Sequence, residues 1–294
     1  MPSSPSSAGR SCGGESGRLA CHVCGKVGDV DQHTTVNQAL WNELAPLHAA
    51  SDFYDVQSFL RGTGTLGELE LAEVGDVTGK SLLHLMCHFG LDTLSWVREG
   101  ARVTGVDFSE QAIGIARDLA DRTNTEAEFV VCDVLAAAEH LNDTYDVVFL
   151  SKGVVMWIGD LDAWAGTCAR LLRPGGVLYV LDHHPLALAL SDPGSAEGGL
   201  ALHGSYFGRP VPTVVVKDGS YAVADAGLAH QESREWTHTL GEVVTALVRA
   251  GIAIEFLHEF PARAGDMPFP NLDRDGLRDE LPAMFSVRGV RTGD

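Results

Sequence analysis

The sequence predicts an α/β fold built on a doubly wound, seven-stranded, mostly parallel sheet, with a reversed hairpin at one edge and an insertion over the sheet. Three observations predict it. Short apolar runs alternate with helical patterns between residues 81 and 182. These runs are almost continuously apolar, as expected for parallel strands that are buried on both faces. The alternation stops after Pro185, and the last two strand patterns follow each other without a helix between them.

The chain begins with two segments that contain no strand pattern. Residues 1–33 are rich in glycine and serine and offer little apolar surface, so they are expected to form a disordered extension. Residues 34–294 form the predicted folded domain. Its first part, residues 34–75, is predicted to be a helical cap, because Leu40, Trp41 and Leu44 share one face of a helix.

Five parallel strands and their connecting helices are expected next. The strands are predicted at Ser81–Met86, Arg102–Asp107, Glu128–Asp133, Asp146–Ser151 and Val177–Asp182. The helices are predicted at Leu91–Glu99, Glu110–Ala120, Val134–Leu141 and Leu161–Leu172.

Residues 186–235 interrupt this order and are predicted to be a substrate lid with one strand at Val211–Val216. A helix at Leu240–Ala250 follows the lid. The closing strands at Ile252–Phe260 and Met284–Val290 are expected to form the reversed hairpin, because antiparallel strands need no helical crossover.

Composition narrows the classes of partner. The 294 residues carry a formal net charge of −19, which repels polyanions, so nucleic acids and anionic membranes are not expected as partners.

No apolar run approaches the roughly 20 residues that span a bilayer. The N-terminus lacks a secretory signal, and six scattered cysteines indicate reduced thiols. A cytoplasmic location is expected. The oligomeric state stays open, with a homodimer as one option.

Two acids end neighbouring predicted strands, where ligands of open α/β sheets bind. Asp107 ends the second strand and can accept both hydroxyl groups of a ribose. Asp133 ends the third strand and can accept a hydrogen bond from an exocyclic amine such as that of adenine. Each acid is also compatible with a simple helix-capping role.

The turn after the first strand indicates which nucleotide fits. Its backbone N–H groups face the space above the sheet. A turn that binds a pyrophosphate carries three spaced glycines, whereas here only Gly90 is present. The sequence therefore favours a nucleoside without a pyrophosphate, and S-adenosylmethionine is the leading candidate. Gly90 is equally compatible with a packing role in any α/β domain.

Further polar residues follow the fourth and fifth strands. Ser151 ends the fourth strand, and Trp157 behind it suits either the wall of a reaction channel or the core. Asp182 and His184 are two residues apart on the fifth strand, so they are expected on one side, with one able to orient the other. His184 is the candidate base or positioning group, and a structural histidine remains the alternative.

Metal binding is not predicted. The adjacent histidines at 183 and 184 would point to opposite faces of a strand. The N-terminal cysteines offer one Cys-x2-Cys knuckle, Cys21–Cys24, inside a glycine- and serine-rich tail, which is a weak zinc pattern.

Taken in order, these motifs resemble the class I S-adenosylmethionine-dependent methyltransferases. The segment from His84 to Thr93 stands where that superfamily has its glycine-rich first motif. Asp107 matches its ribose-binding acid, and Cys132-Asp133-Val134 matches its adenine-binding turn. Tyr145–Val148 begins its fourth strand, and Leu171–Gly176 matches the turn before its fifth strand.

The chain is most similar to a bacterial subgroup whose first motif reads Cys-His-Phe-Gly, and the resemblance covers about Trp41 to Arg291. Members of this subgroup also carry an acid and a His-Pro pair after the fifth strand, here Asp182 and His184-Pro185, and a Trp-x-His segment, here Trp236–His238. The sequence departs from the superfamily at His88 and Phe89, which replace small residues, so the methionine end of the cofactor is expected to sit differently.

The resemblance implies in-line methyl transfer from S-adenosylmethionine to O, N or C of a small molecule, with secondary metabolites as one class. The implied cofactor-binding residues are His88, Gly90, Asp107, Phe108, Asp133, Val134 and Ser151. The implied catalytic residues are Asp182 and His184. The implied substrate contacts are Trp157, His203 and His238. The alternatives are an NAD-dependent oxidoreductase, which the missing glycines disfavour, and a non-catalytic protein that binds S-adenosylmethionine.

Overall fold

The computed structural model describes residues 32–190, 202, 204–261 and 279–293. The predicted disordered extension lies outside these residues, apart from Gln32 and His33, which open the first helix. His203 also lies outside them. The α-helices are α1 (Gln32–Ala50), α2 (Val56–Leu60), α3 (Glu68–Val74), α4 (Leu91–Arg98), α5 (Glu110–Thr123), α6 (Ala137–His140), α7 (Leu161–Leu171), α8 (Pro185–Leu190) and α9 (Leu240–Arg249). Short 3₁₀ helices span Val134–Ala136 and Val155–Trp157.

Seven strands form the main sheet, as the sequence predicts. The strands are β1 (Ser81–Leu85), β2 (Arg102–Asp107), β3 (Glu128–Val131), β4 (Tyr145–Ser151), β5 (Leu172–His183), β8 (Ile252–Pro261) and β9 (Pro282–Arg291). Their order is β3-β2-β1-β4-β5-β9-β8. The pairs from β3 to β5 are parallel, whereas β9 runs antiparallel to both β5 and β8. The predicted doubly wound sheet with a reversed edge hairpin is confirmed.

The sheet is covered on both faces because its central strands alternate their side chains between two cores. Leu83 of β1 belongs to one buried cluster with Trp164 of α7 and Leu247 of α9. Leu82, one residue earlier, belongs to another cluster with Trp96 of α4. None of the helices within the described residues has the length and apolar character that a membrane crossing requires.

Part of the predicted insertion pairs with the N-terminal helix. Strands β6 (Thr213–Val216) and β7 (Glu232–Glu235) form a separate two-stranded sheet. The side chain of Asn37 in α1 binds the backbone of Arg234 in β7 twice: its amide donates to the carbonyl at 2.9 Å and its carbonyl accepts from the N–H at 2.8 Å. Leu228 of the insertion packs against Leu40 and Leu44 of α1. Helix α1 and the insertion therefore form one continuous cover.

The turn between β1 and α4 has a strained backbone. Met86, His88 and Gly90 all have positive φ angles, of 57°, 51° and 80°. A Cβ atom on Gly90 would lie 2.8 Å from the Phe129 ring and 3.0 Å from Ala116. The glycine is therefore needed for both the left-handed conformation and the packing of α4 and α5 against β3.

We expect Gly90→Ala to lower the free energy of unfolding by at least about 2 kcal/mol, because left-handed strain and overpacking add. Gly114→Ala in α5 is the matched control. A Cβ there meets nothing within 4 Å, so we expect a gain of roughly 0.5–1 kcal/mol. Urea unfolding of both variants measures the difference. Equal stability of the two variants would contradict the packing role of Gly90.

Candidate active site

A cleft lies at the carboxyl edge of the sheet, where ligands of open α/β sheets bind. It is lined by Asp107, Phe108, Asp133, Val134 and Trp157, all of which the sequence had singled out. The structure thus brings the ribose and adenine candidates together. It also places Trp157, expected on the acceptor side, against the same cleft.

Asp107 is the charged group at the centre of this edge. One carboxylate oxygen accepts the backbone N–H of His88 at 2.8 Å, and the other accepts that of Ser109 at 2.8 Å. Two of its roughly four lone-pair positions are thereby used, and two remain for a ligand. Burial raises the pKa of Asp107 to about 6, although these backbone hydrogen bonds oppose the increase.

The wall of the cleft beside Asp107 is formed by residues that begin or hold short helical segments. Asp133 begins the first 3₁₀ helix by accepting the Leu135 N–H at 2.7 Å. Val134 is buried at the cleft surface. The Phe108 carbonyl accepts the Gln38 side-chain amide at 2.7 Å, which fixes α1 against the wall.

Helix α1 also closes the cleft, in the place predicted for the helical cap, but the sequence did not identify which of its residues line the cleft. Thr34 and Asn37 line it alongside Asp107. The signal that could have identified Asn37 is its position three residues before Leu40, on the buried face of the helix.

His88 turns its side chain toward α1. Its Nε2 lies 3.1 Å from Nδ1 of His48, whose Nε2 lies 2.7 Å from Oγ of Ser220 in the insertion. Burial lowers the pKa of His48 to about 4; burial and the nearby His48 lower the pKa of His88 well below its usual value. Sequence reasoning missed His48 and Ser220, although His48 continues the buried stripe of Leu40 and Leu44 at four-residue spacing.

Aromatic rings surround these histidines. Trp41 contacts His88 edge-on, with 5.2 Å between centroids, and also contacts Trp157 at 5.4 Å. Tyr54 stacks on His48 at 5.4 Å, and its hydroxyl is hydrogen-bonded to that of Tyr221. The aromatic wall thus runs from the cleft at Trp157 to the insertion at Tyr221.

The expected contact between Asp182 and His184 is wrong. Asp182 accepts backbone N–H groups from Gly153, His183, Val154 and Val155 at 2.5–3.1 Å. It is 2% exposed and holds the loop after β4 in place.

His184 lies just beyond the end of β5, where the chain turns into α8, so the alternation of a strand no longer sets its direction. Its Nε2 lies 2.9 Å from Oε1 of Glu259 in β8, and its Nδ1 accepts the Leu186 N–H at 3.1 Å. Both ring nitrogens of His184 are therefore engaged away from Asp182.

Two further predicted site residues, Ser151 and His238, are not among the residues that line this cleft. Ser151 donates to Asp92 of α4 at 3.2 Å. His238 has its Nε2 2.7 Å from the Ile158 carbonyl and lines a second cavity of about 350 Å³ with Trp236 and His183. The structure does not place Ser151 or His238 in the Asp107 cleft.

Comparison with known proteins agrees with this architecture. A family described as "Methyltransferase domain" matches residues 82–176. A ubiquinone biosynthesis O-methyltransferase from Sinorhizobium fredii is 37% identical over 162 residues, which cover 50% of this chain and 64% of that protein. The chain thus spans less than two thirds of that relative's length.

Solved structures share the fold. An S-adenosylmethionine-dependent methyltransferase from Mesorhizobium loti aligns with a TM-score of 0.54 and 23% identity, covering 79% of this chain and all of that one. One from Clostridium acetobutylicum aligns with a TM-score of 0.54 and 12% identity, covering 86% of this chain and all of that one. Residues 82–176 are thus similar to a methyltransferase domain, and the predicted resemblance to the S-adenosylmethionine-dependent methyltransferases is confirmed.

We expect Asp182→Asn to destabilise the protein by at least about 2 kcal/mol, because an amide cannot accept the backbone N–H groups that the buried carboxylate accepts on both oxygens. Asp160→Asn is the control, since Asp160 only caps α7 by accepting the Ala163 N–H and asparagine caps equally well. Thermal unfolding of the two variants distinguishes the roles. If both melt alike, Asp182 is not the support of this loop.

Proposed function

We propose that the protein transfers a methyl group from S-adenosylmethionine to a hydroxyl oxygen of a small molecule. The observation that carries the proposal is Asp107, a buried carboxylate with two unused lone-pair positions at the carboxyl edge of β2, where it lines the cleft. The two hydroxyl groups of a ribose would satisfy these positions. Oxygen as the acceptor atom is supported by the relatives named ubiquinone biosynthesis O-methyltransferase.

The chemistry of the cleft suits each part of this cofactor. Asp133 and Val134 would face the adenine, and Phe108 would cover it. The sulfonium supplies the activated methyl carbon when the cofactor is bound. Trp41 and Trp157 offer aromatic rings that attract a cation. His88, held neutral by burial, adds no opposing positive charge.

The chain's own residues would act mainly by alignment, which alone supplies a large part of the rate of such transfers. The cover made by α1 and the insertion would exclude water from the cleft. The net charge of −19 tolerates a cationic cofactor and disfavours a polyanionic acceptor.

Isothermal titration with S-adenosylhomocysteine, the demethylated cofactor, tests the proposal. We expect Asp107→Asn to weaken binding at least about tenfold, because charge-assisted hydrogen bonds to the ribose are lost. Asp143→Asn serves as the control; Asp143 is exposed in the loop before β4, at the opposite edge of the sheet. Unchanged affinity in Asp107→Asn, or tight binding of NAD by the native protein, would overturn the assignment.

The affinity for S-adenosylhomocysteine should also depend on pH. The ionised form of Asp107 accepts the ribose hydroxyls, and its pKa is raised to about 6, so affinity should be full above this value and fall below it. At pH 5 about nine tenths of the carboxyl is protonated, which corresponds to a loss of about tenfold.

Three other titratable groups beside Asp107 do not change charge in this interval. Burial raises the pKa of Cys87 and Cys132, and the pKa of His88 is lowered. Titrations between pH 5 and 8 should therefore show the dependence in the native protein and not in Asp107→Asn. A slope that persists in the variant would assign the effect to another group.

A further inference from the structure

The hydrogen bonds around Ser220 determine which nitrogen of each nearby histidine carries its proton. Oγ of Ser220 accepts the backbone N–H groups of Ala222 at 3.2 Å and Val223 at 3.3 Å. A serine hydroxyl has two lone pairs and one proton. With both lone pairs occupied, the hydroxyl proton is left to donate to Nε2 of His48, 2.7 Å away.

The same reasoning then assigns the ring protons of His48 and His88. Burial lowers the pKa of His48 to about 4, so its ring is neutral at pH 7 and has a single N–H. Because Nε2 accepts from Ser220, the proton of His48 lies on Nδ1 and is donated to Nε2 of His88 at 3.1 Å. His88 is also neutral, so its own proton lies on Nδ1.

Nδ1 of His88 is the last atom in this series of hydrogen-bonded groups. It has no hydrogen-bond partner among the described residues, and it is not among their buried polar atoms that lack a partner, so it is accessible. The ring belongs to the turn whose backbone N–H binds Asp107. Trp41 contacts both His88 and Trp157, and Trp157 lines the cleft.

We propose that Ser220, His48 and His88 form a relay that presents the Nδ1–H of His88 to an oxygen of a bound ligand, which makes His88 a positioning residue and not a base. The ligand chemistry is an oxygen acceptor, such as a carboxylate or an oxyanion. Its source is either the methionyl carboxylate of the cofactor or the methyl acceptor. The identity of the ligand in this inference rests on the proposed function. The positions of the protons in the relay do not depend on it.

The relay also connects the cover to the site. Ser220 lies in the insertion, 172 residues from His48 in sequence, and the neighbouring Tyr221 joins its hydroxyl to that of Tyr54. The contact between Ser220 and α1 is therefore what fixes the tautomer of His48, and through it the orientation of the His88 donor.

The proton positions are tested without any ligand by NMR of the full chain labelled with ¹⁵N-histidine. Signals are assigned with His48→Gln and His88→Gln, and buried His84, bonded to Thr93, serves as the internal reference. We expect His48 and His88 both to carry the proton on Nδ1. Ser220→Ala should alter the His48 signals, Ser220→Thr should restore them, and His84 should not move. A proton on Nε2 of His88, or His48 signals insensitive to Ser220→Ala, would overturn the relay.

The source of the oxygen is tested by titrating His88→Phe with two probes. S-adenosylhomocysteine carries the methionyl carboxylate, and 5′-methylthioadenosine lacks it. A loss of about tenfold for the first probe alone assigns the donor to the cofactor, and unchanged affinity for both assigns it to the methyl acceptor. Equal weakening of both probes would mean that His88 only supports the turn, which contradicts the proposal. If the native protein binds neither probe while the NMR result holds, the proposed function fails and the relay stands.

Discussion

The carboxylate of Asp107 joins the two turns between which the cleft opens. It accepts one N–H from the turn after β1 and one from the turn after β2. Together with the bond from the Cys87 N–H to the Val106 carbonyl at 2.9 Å, it fixes the spacing of these segments at the edge of the sheet. Burial destabilises the charged form of Asp107 and thereby raises its pKa to about 6. A ligand that donates two further hydrogen bonds offsets this cost, so the same group that shapes the cleft also favours its occupation.

Asp107 and Asp182 show how two acids of one sheet acquire different roles. Both are buried, Asp107 on β2 and Asp182 on β5, and strands β1 and β4 lie between them. Asp182 accepts four backbone N–H groups and shapes the loop after β4, whereas Asp107 accepts two and lines the cleft. The number of backbone donors around each carboxylate, and not its position in the sequence, separates the ligand site from the scaffold.

Sequence reasoning correctly placed those residues whose position depends on a single strand. Asp107 and Asp133 could be placed because an apolar run defines where each strand ends, and parallel strands end at one edge. It failed for His184, because the argument from two-residue spacing required β5 to continue past His183, where the strand ends. It also missed β7, whose sequence Glu-Ser-Arg-Glu has no apolar alternation.

Contacts between segments that are distant in sequence could not be predicted either, because they do not depend on a single element. His48 is 40 residues from His88 and 172 residues from Ser220. No local periodicity relates such positions; only the docking of α1 and the insertion over the first-motif turn brings them together. The sequence therefore predicts the sheet edge and the presence of a cap and a lid, but not the contacts between them.

A crystal structure of the full chain with S-adenosylhomocysteine tests the central claim most directly. The account predicts both ribose hydroxyls on the Asp107 carboxylate, with adenine against Asp133, Val134 and Phe108. A ligand bound elsewhere, or a ribose that leaves Asp107 without a hydroxyl partner, would contradict it.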